Sequence, residues 1–108
     1  MIIGAGHSGV TVLRELQTSS HSKGKVVCML DKDPGKIGKY IHGVKVVSNC
    51  EHIEELTQKY RIDKIVLAIP TASNAEKREI IDACQKTNCK LSILPAIYEL
   101  ANGDVRLE

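Results

Sequence analysis

The run KIVLAI, Lys64–Ile69, constrains the fold more than any other stretch of this chain, because it is apolar after its first residue and is closed at once by Pro70. A strand with one wetted face alternates apolar and polar residues; a strand covered on both faces has no need to. VVCML, Val26–Leu30, repeats the pattern, and KLSIL, Lys90–Leu94, gives another strand closed by Pro95. VKVV, Val44–Val47, reads as a strand by alternation, and Met1–Ile3 as the stub of a first one. Helical spacing separates these runs: Val12, Leu13 and Leu16 within Ser8–Thr18, then Ile53, Leu56 and Tyr60, then Ile80, Ile81 and Cys84. Two S-x-x-E signals, Ser48 with Glu51 and Ser73 with Glu76, predict capped starts for the second and third helices. Polar turns are expected at Ser19–Lys25 and, with at most one helical turn, over Asp31–Gly43. Ala96–Leu100 starts one more short helix, stopped by Asn102–Gly103. The alternation predicts an α/β class fold: a Rossmann-like three-layer sandwich, its parallel five-stranded sheet in the order 3-2-1-4-5 with helices on both faces.

At 108 residues the chain is one domain, residues 1–108. Trp and Phe are absent and only three tyrosines are present, so the core is aliphatic. A net charge of +2, with scattered bases and no stacking platform, argues against nucleic acid as a partner. No apolar run approaches the ~20 residues of a membrane span, and no signal-peptide pattern is present. The fragment is therefore expected to be soluble and cytoplasmic, with no membrane contact. Cys28, Cys50, Cys84 and Cys89 form no C-x-x-C pair and read as buried free thiols of a reducing compartment. With His42 or His52 they lack metal-ligand spacing, so no metal site is expected. Both ends read as cut points: only Met1–Ile3 precede the glycine loop, and Leu107–Glu108 resembles a cloning scar. A domain excised from a longer protein is expected.

The glycine loop, Gly4-Ala-Gly6-His7-Ser8-Gly9, follows a strand and opens a helix, the setting in which G-x-G-x-x-G cradles a dinucleotide. Gly4 allows the tight turn, Gly6 lets a pyrophosphate approach the backbone, and Gly9 lets the helix pack on the strand. The helix start, with Ser8 on its first turn, offers free N–H groups and a positive dipole end to the phosphates, and a protonated His7 imidazole would help hold an anion, although a tolerated exposed position also explains His7. Asp31, at the end of the second strand, accepts hydrogen bonds from an adenosine ribose and repels a 2′-phosphate, favouring NAD. Lys32 beside it works the other way and leaves NADP or another nucleotide open. Thr71 and Ser73 follow the strand closed by Pro70, at the edge where ligands of such sheets bind, although capping alone also explains Ser73. Lys36, Lys39 and His42 form a basic cluster near the same edge, also explained as a solvated loop.

Tyr60 and Lys64 match Y-x-x-x-K, but Tyr60 closes a helix and Lys64 opens a strand, so the pair lacks the shared helix face that catalysis requires. No other constellation of nucleophile, base or paired carboxylates stands out, and no catalytic residue is assigned. The binding half of an oxidoreductase is legible; the reacting half is not.

The segments IIGAGHSG, LDKDPGKIGKYIHGVKVV, YRIDKIVLAIPTAS and LPAIYEL resemble, in that order, the first Rossmann-like, CoA-binding-like domain of the CapD-type nucleotide-sugar epimerases and dehydratases of polysaccharide biosynthesis. Asp31–Val44 and Ala68–Ser73 are the specific parts. The resemblance implies a domain that follows transmembrane helices and precedes a catalytic short-chain dehydrogenase domain. It implies a parent enzyme at the inner membrane, facing the cytoplasm, that acts on UDP-sugars by NAD(P)-dependent 4,6-dehydration or epimerisation. Similar domains also precede sugar-phosphate transferases. Carried over are the cofactor-loop positions Gly4, Gly6 and Gly9, with Asp31; no catalytic residue comes with them. His7 departs from the acidic residue often found at its position. Three alternatives stand beside this reading: a regulatory NAD(H)-sensing domain, a degenerate scaffold that binds nothing, and the cofactor domain of a glucose–fructose type oxidoreductase. The last lacks its Glu-Lys-Pro motif here.

Overall fold

The computed structural model describes residues 1–18 and 24–94. The expected helix at Ala96–Leu100 and most of the expected turn at Ser19–Lys25 lie outside these residues. In chain order the elements are β1 (Ile2–Ile3), α1 (His7–Thr18), β2 (Met29–Leu30), β3 (Tyr40–Ile41), β4 (Val44–Ser48), α2 (Ile53–Lys59), β5 (Lys64–Leu67), α3 (Asn74–Gln85) and β6 (Lys90–Ile93). They form one sheet in the order β3-β4-β2-β1-β5-β6. Every pairing is parallel except that of β3 with β4. The five parallel strands thus stand in the order expected from the sequence, and the α/β Rossmann-like class holds.

Alternation along the strands sorts side chains between two cores. Ile3, Cys28, Leu30, Ile65 and Leu67 point to the face where Ile53 of α2 and Ile80 and Cys84 of α3 pack. Ile2, Met29, Val46 and Ala68 point the other way, onto Val12 and Leu13 of α1. Both faces of β1 and β2 are therefore dry, which is why their residues are apolar without alternation. Each such side chain contributes about 1.5–3 kcal/mol by leaving water.

Three local expectations need correction. The sheet has a sixth strand: Asp31–Gly43 is not a loop throughout, because Tyr40 pairs with Lys45 and Ile41 with Val44. His42 (φ 48) and Gly43 (φ 84) both hold positive φ, as a two-residue hairpin turn of the I′ type requires. Ser48 does not cap the second helix. It stays in β4, where its carbonyl accepts the Asp31 N–H at 3.1 Å. The helix starts after His52 instead, with no side-chain cap, while Asn49 Oδ1 accepts the Glu51 N–H at 3.0 Å. The other capping signal is realised: Ser73 Oγ accepts the Glu76 N–H at 3.2 Å at the start of α3.

The tightest packing lies where α1 leaves β1. A Cβ added at Gly9 would run into the Gly4 carbonyl, and one at Gly4 (φ +109) into the Ala68 carbonyl of the segment after β5. At both places the nearest atom is backbone, which cannot give way as the end of a flexible side chain would. Gly9→Ala is expected to cost about 1–3 kcal/mol by overpacking. That lowers the melting midpoint by ~4–8 °C per kcal/mol in a domain of this size. A calorimetric scan checks it, and a native midpoint would contradict the packing described.

Candidate functional site

Beyond the carboxyl ends of the parallel strands lies a cavity of about 340 Å³. It is lined by Gly4, Gly6, His7 and Ser8 of the glycine loop and helix start, by Asp31 and Lys32 after β2, by Ala68–Ser73 after β5, and by Cys50, Glu76 and Ile80. This is the crevice in which open parallel sheets take their ligands. A larger and more apolar cavity, about 520 Å³, opens at the other edge of the sheet among residues such as Leu16, Val26 and Val66, away from the glycine loop.

Asp31 is the hub. Its Oδ2 accepts the Ala5 N–H at 2.7 Å, and its Oδ1 accepts the Asp33 N–H at 2.9 Å. The carboxylate therefore ties the end of β2 to the glycine loop. A carboxylate has about four lone-pair sites, so two such bonds leave acceptor capacity for a ligand hydroxyl. Asp33 continues the turn: its Oδ1 accepts the Gly35 N–H at 2.9 Å and its carbonyl the Lys36 N–H at 3.0 Å. This carries Lys36 back over the glycine loop, where its Nζ donates to the Ala5 carbonyl at 3.4 Å and lies 3.9 Å from Asp31 Oδ2.

The glycines divide by role. Gly4 and Gly9 are required by packing, as shown above. Gly6 has no positive φ, and a Cβ there would meet only Lys36 Nζ, at 4.0 Å. Backbone and core leave room for a side chain at Gly6, yet the position faces the cavity.

All nine candidate residues named from the sequence fall in this region: Gly9 packs behind the loop, and the other eight line the cavity. His7 is the exposed first residue of α1, and Ser8 is buried. Lys32 reaches across to α3, its Nζ 2.8 Å from Glu76 Oε2, and that hydrogen bond holds its ammonium pKa above the ordinary value. Thr71 is exposed; Ser73 both caps α3 and lines the cavity. The backbone just before Thr71 is anchored by Lys77 Nζ, which donates to the Pro70 carbonyl at 2.8 Å. The supposed basic cluster does not gather at one point. Lys36 meets the glycine loop, the Lys39 carbonyl accepts the Val46 N–H at 2.9 Å, and the His42 carbonyl accepts from Gln17 Nε2 at 3.0 Å.

Sequence spacing did not find Glu76, Cys50 or Ile80 as cavity walls. Only the S-x-x-E signal marked Glu76, and it pointed to a cap. Tyr60 lies at the end of α2 and Lys64 begins β5, so the two do not share a helix face. Among the described residues no group of three His, Cys, Asp or Glu is placed to hold a metal ion. No helix among them is long and apolar enough to cross a membrane.

Residues 1–95 match the family model of a CoA-binding domain. The chain is 33% identical over 108 residues to the capsular polysaccharide biosynthesis protein CapD of Staphylococcus aureus, covering 99% of this chain and 18% of that protein. It is 30% identical over 103 residues to the probable polysaccharide biosynthesis protein EpsC of Bacillus subtilis, covering 95% and 17%. The chain thus spans less than a fifth of the length of these relatives, and the resemblance drawn from its motifs is borne out. Among solved structures, UDP-D-quinovosamine 4-dehydrogenase from Vibrio fischeri superposes with a TM-score of 0.81 at 26% identity, over 97% of this chain and 84% of that one. RSP in complex with β-NADH gives 0.69 at 21% identity over 94% and 55%, a likeness of fold.

Cys50 offers a check on the cavity wall. Burial is the largest cause pushing its thiol up to about 11, with the negative charges of Asp31 and Glu76 adding to it. Raising a thiol pKa lowers the thiolate fraction at every pH below it, to on the order of one part in a thousand at pH 8. Iodoacetamide labelling of native Cys50, read by peptide mass spectrometry, should be slow at neutral pH and still rise about tenfold per pH unit near pH 9. A plateau below pH 9 would contradict the burial described.

Proposed function

The chain belongs to the CoA-binding domain family, and from that premise we propose that it is a nucleotide-binding Rossmann-like domain, with NAD as first candidate, serving an enzyme of polysaccharide biosynthesis that works on UDP-sugars. Gly6 carries the reading. It is the one glycine of the loop that neither φ nor packing requires, and it borders the cavity. An approaching phosphate supplies the missing reason, since a side chain there would stand between the anion and the loop.

In this reading the loop and the first turn of α1, Gly6 to Ser8, hold the diphosphate with backbone N–H groups and the helix dipole. Gly4 and Gly9 keep that turn in place. Asp31 uses its remaining acceptor capacity on the ribose, and Lys32 either stays with Glu76 or turns to a ribose phosphate. Thr71 and Ser73 contribute hydroxyls from the segment after β5, and Ile69 and Ile80 offer apolar surface to a base.

The relatives' names give the setting: polysaccharide biosynthesis for CapD and EpsC, a UDP-sugar for the Vibrio fischeri dehydrogenase. RSP, which shares the fold, has been solved in complex with β-NADH. We place residues 1–108 as a single domain beside a catalytic short-chain dehydrogenase domain of a membrane-anchored parent. Any hydride transfer then belongs to that neighbour.

The test is a thermal-shift and calorimetric titration with NAD⁺, NADH, NADP⁺, coenzyme A and UDP-sugars. A ligand at 100 times its dissociation constant should stabilise the fold by about 2.7 kcal/mol. NAD(H) is expected to bind saturably and more tightly than NADP⁺. Gly6→Ala should keep the native melting midpoint while losing about tenfold or more in affinity, the signature of a side chain in the ligand's path. Asp31→Asn should narrow the preference for NAD⁺ over NADP⁺, because it removes the charge that repels a 2′-phosphate. A folded sample stabilised by none of these ligands overturns the proposal and leaves a scaffold.

A further inference from the structure

We infer that Lys36 is the residue that makes this site select a diphosphate. The inference rests on the nucleotide reading above and adds a residue outside the glycine loop and outside the cavity wall. Its ammonium is placed by two contacts: 3.4 Å to the Ala5 carbonyl and 3.9 Å to Asp31 Oδ2. Among the described residues, chain neighbours aside, the same ammonium alone comes within 4.0 Å of the position a Cβ would take at Gly6. Wherever an anion comes up to the bare backbone of Gly6, it arrives beside this charge.

The electrostatics explain why a lysine is needed there. Asp31 is largely buried and hydrogen-bonded to the loop through the Ala5 N–H. Its negative charge therefore sits against the place where a diphosphate would bring more of the same sign. Two anions a few ångströms apart near a protein surface repel each other strongly. An ammonium between them offsets that repulsion and lets one loop serve a ribose acid and a diphosphate together. The neighbouring Lys32 is committed elsewhere, 2.8 Å from Glu76. Lys36 retains 39% of its side-chain exposure, so the head group can swing from the Ala5 carbonyl to a phosphate oxygen without unpacking the core. The ligand class is a nucleoside diphosphate, free or as part of a dinucleotide, coenzyme A or a nucleotide sugar. Base identity is set elsewhere in the cavity.

The experiment titrates the 108-residue chain and its Lys36→Gln and Lys36→Arg variants with ADP and with UDP, at low and high salt, alongside melting scans. Lys36→Gln should weaken whichever diphosphate the native chain binds by roughly tenfold or more, the loss expected of one charge-assisted bond. It should also flatten the salt dependence of binding and leave the melting midpoint in place. Lys36→Arg should restore most of the affinity. Better binding of ADP assigns the site to adenine cofactors, and better binding of UDP to nucleotide sugars; either supports the inference once the Gln variant shows its loss. An unchanged affinity in Lys36→Gln overturns it, as does a loss with the native salt dependence, which would make Lys36 a brace for the loop. If the native chain binds neither ADP nor UDP, the nucleotide reading fails first and the inference falls with it. Native binding that survives Lys36→Gln removes only the inference.

Discussion

The carboxyl edge of this sheet depends on one contact between backbones, the approach of α1 to β1 at Gly9 and Gly4. Neither residue has space for a Cβ, and Gly4 also turns with φ +109 against the Ala68 carbonyl. That approach sets where the first turn of α1 points and how far it stands from the end of β5. From there the remaining walls are located by hydrogen bonds to backbone. Asp31 fixes the end of β2 to Ala5, Ser73 fixes the start of α3, and Lys77 fixes Pro70 between them. A site held in this way before any ligand arrives spends little binding energy on ordering its own chain.

Because these restraints meet at the glycine loop, the charges around it have restricted freedom. Asp31 cannot swing into solvent without giving up two backbone N–H bonds. Lys32 has its own carboxylate partner across the cavity, on the first turn of α3. Lys36 is brought back by the successive turns that Asp33 builds. The stretch Asp31-Lys-Asp-Pro-Gly-Lys36 thus keeps one carboxylate and one ammonium together at the glycine loop, sends the other ammonium to α3 and spends the second carboxylate on its own turn. Read as a string, it is only a mixed-charge loop.

What was legible in the sequence follows the range of each signal. Strand order and helix placement came through because apolar period and glycine spacing are local and many residues repeat them. The edge strand Tyr40–Ile41 did not, since two residues show no period, and His-Gly is a less familiar hairpin turn than Asn-Gly. His42 nonetheless adopts positive φ, which His does more readily than most side chains. Ser48 shows a local signal overruled by a tertiary one. Its S-x-x-E spacing is sound, but the ladder to Asp31 holds it in β4. Lys36 and Ala5 are 31 positions apart, and no spacing rule spans that distance. The candidate residues of the cavity were found by type and place on the sheet. Their partners needed the fold.

The same division bears on whether the loop is a working site or a remnant. A scaffold that has stopped binding still gains stability from Gly4 and Gly9, because the approach of α1 to β1 has no room for a Cβ at either. Gly6 is held less tightly: it precedes α1, where its carbonyl accepts the Val10 N–H at 3.0 Å, but a methyl group there would meet, among the described residues, the end of Lys36 alone. That lysine is placed by the Ala5 carbonyl and Asp31, with 39% of its side chain still exposed. A glycine with room above it and a partly exposed cation beside Asp31 stand at one spot although they are 30 positions apart in the chain. Either feature alone is weak, since one glycine or one surface lysine is readily accounted for. Together they offer one place where an anion would meet bare backbone and a mobile ammonium at once, which is what the proposed diphosphate needs.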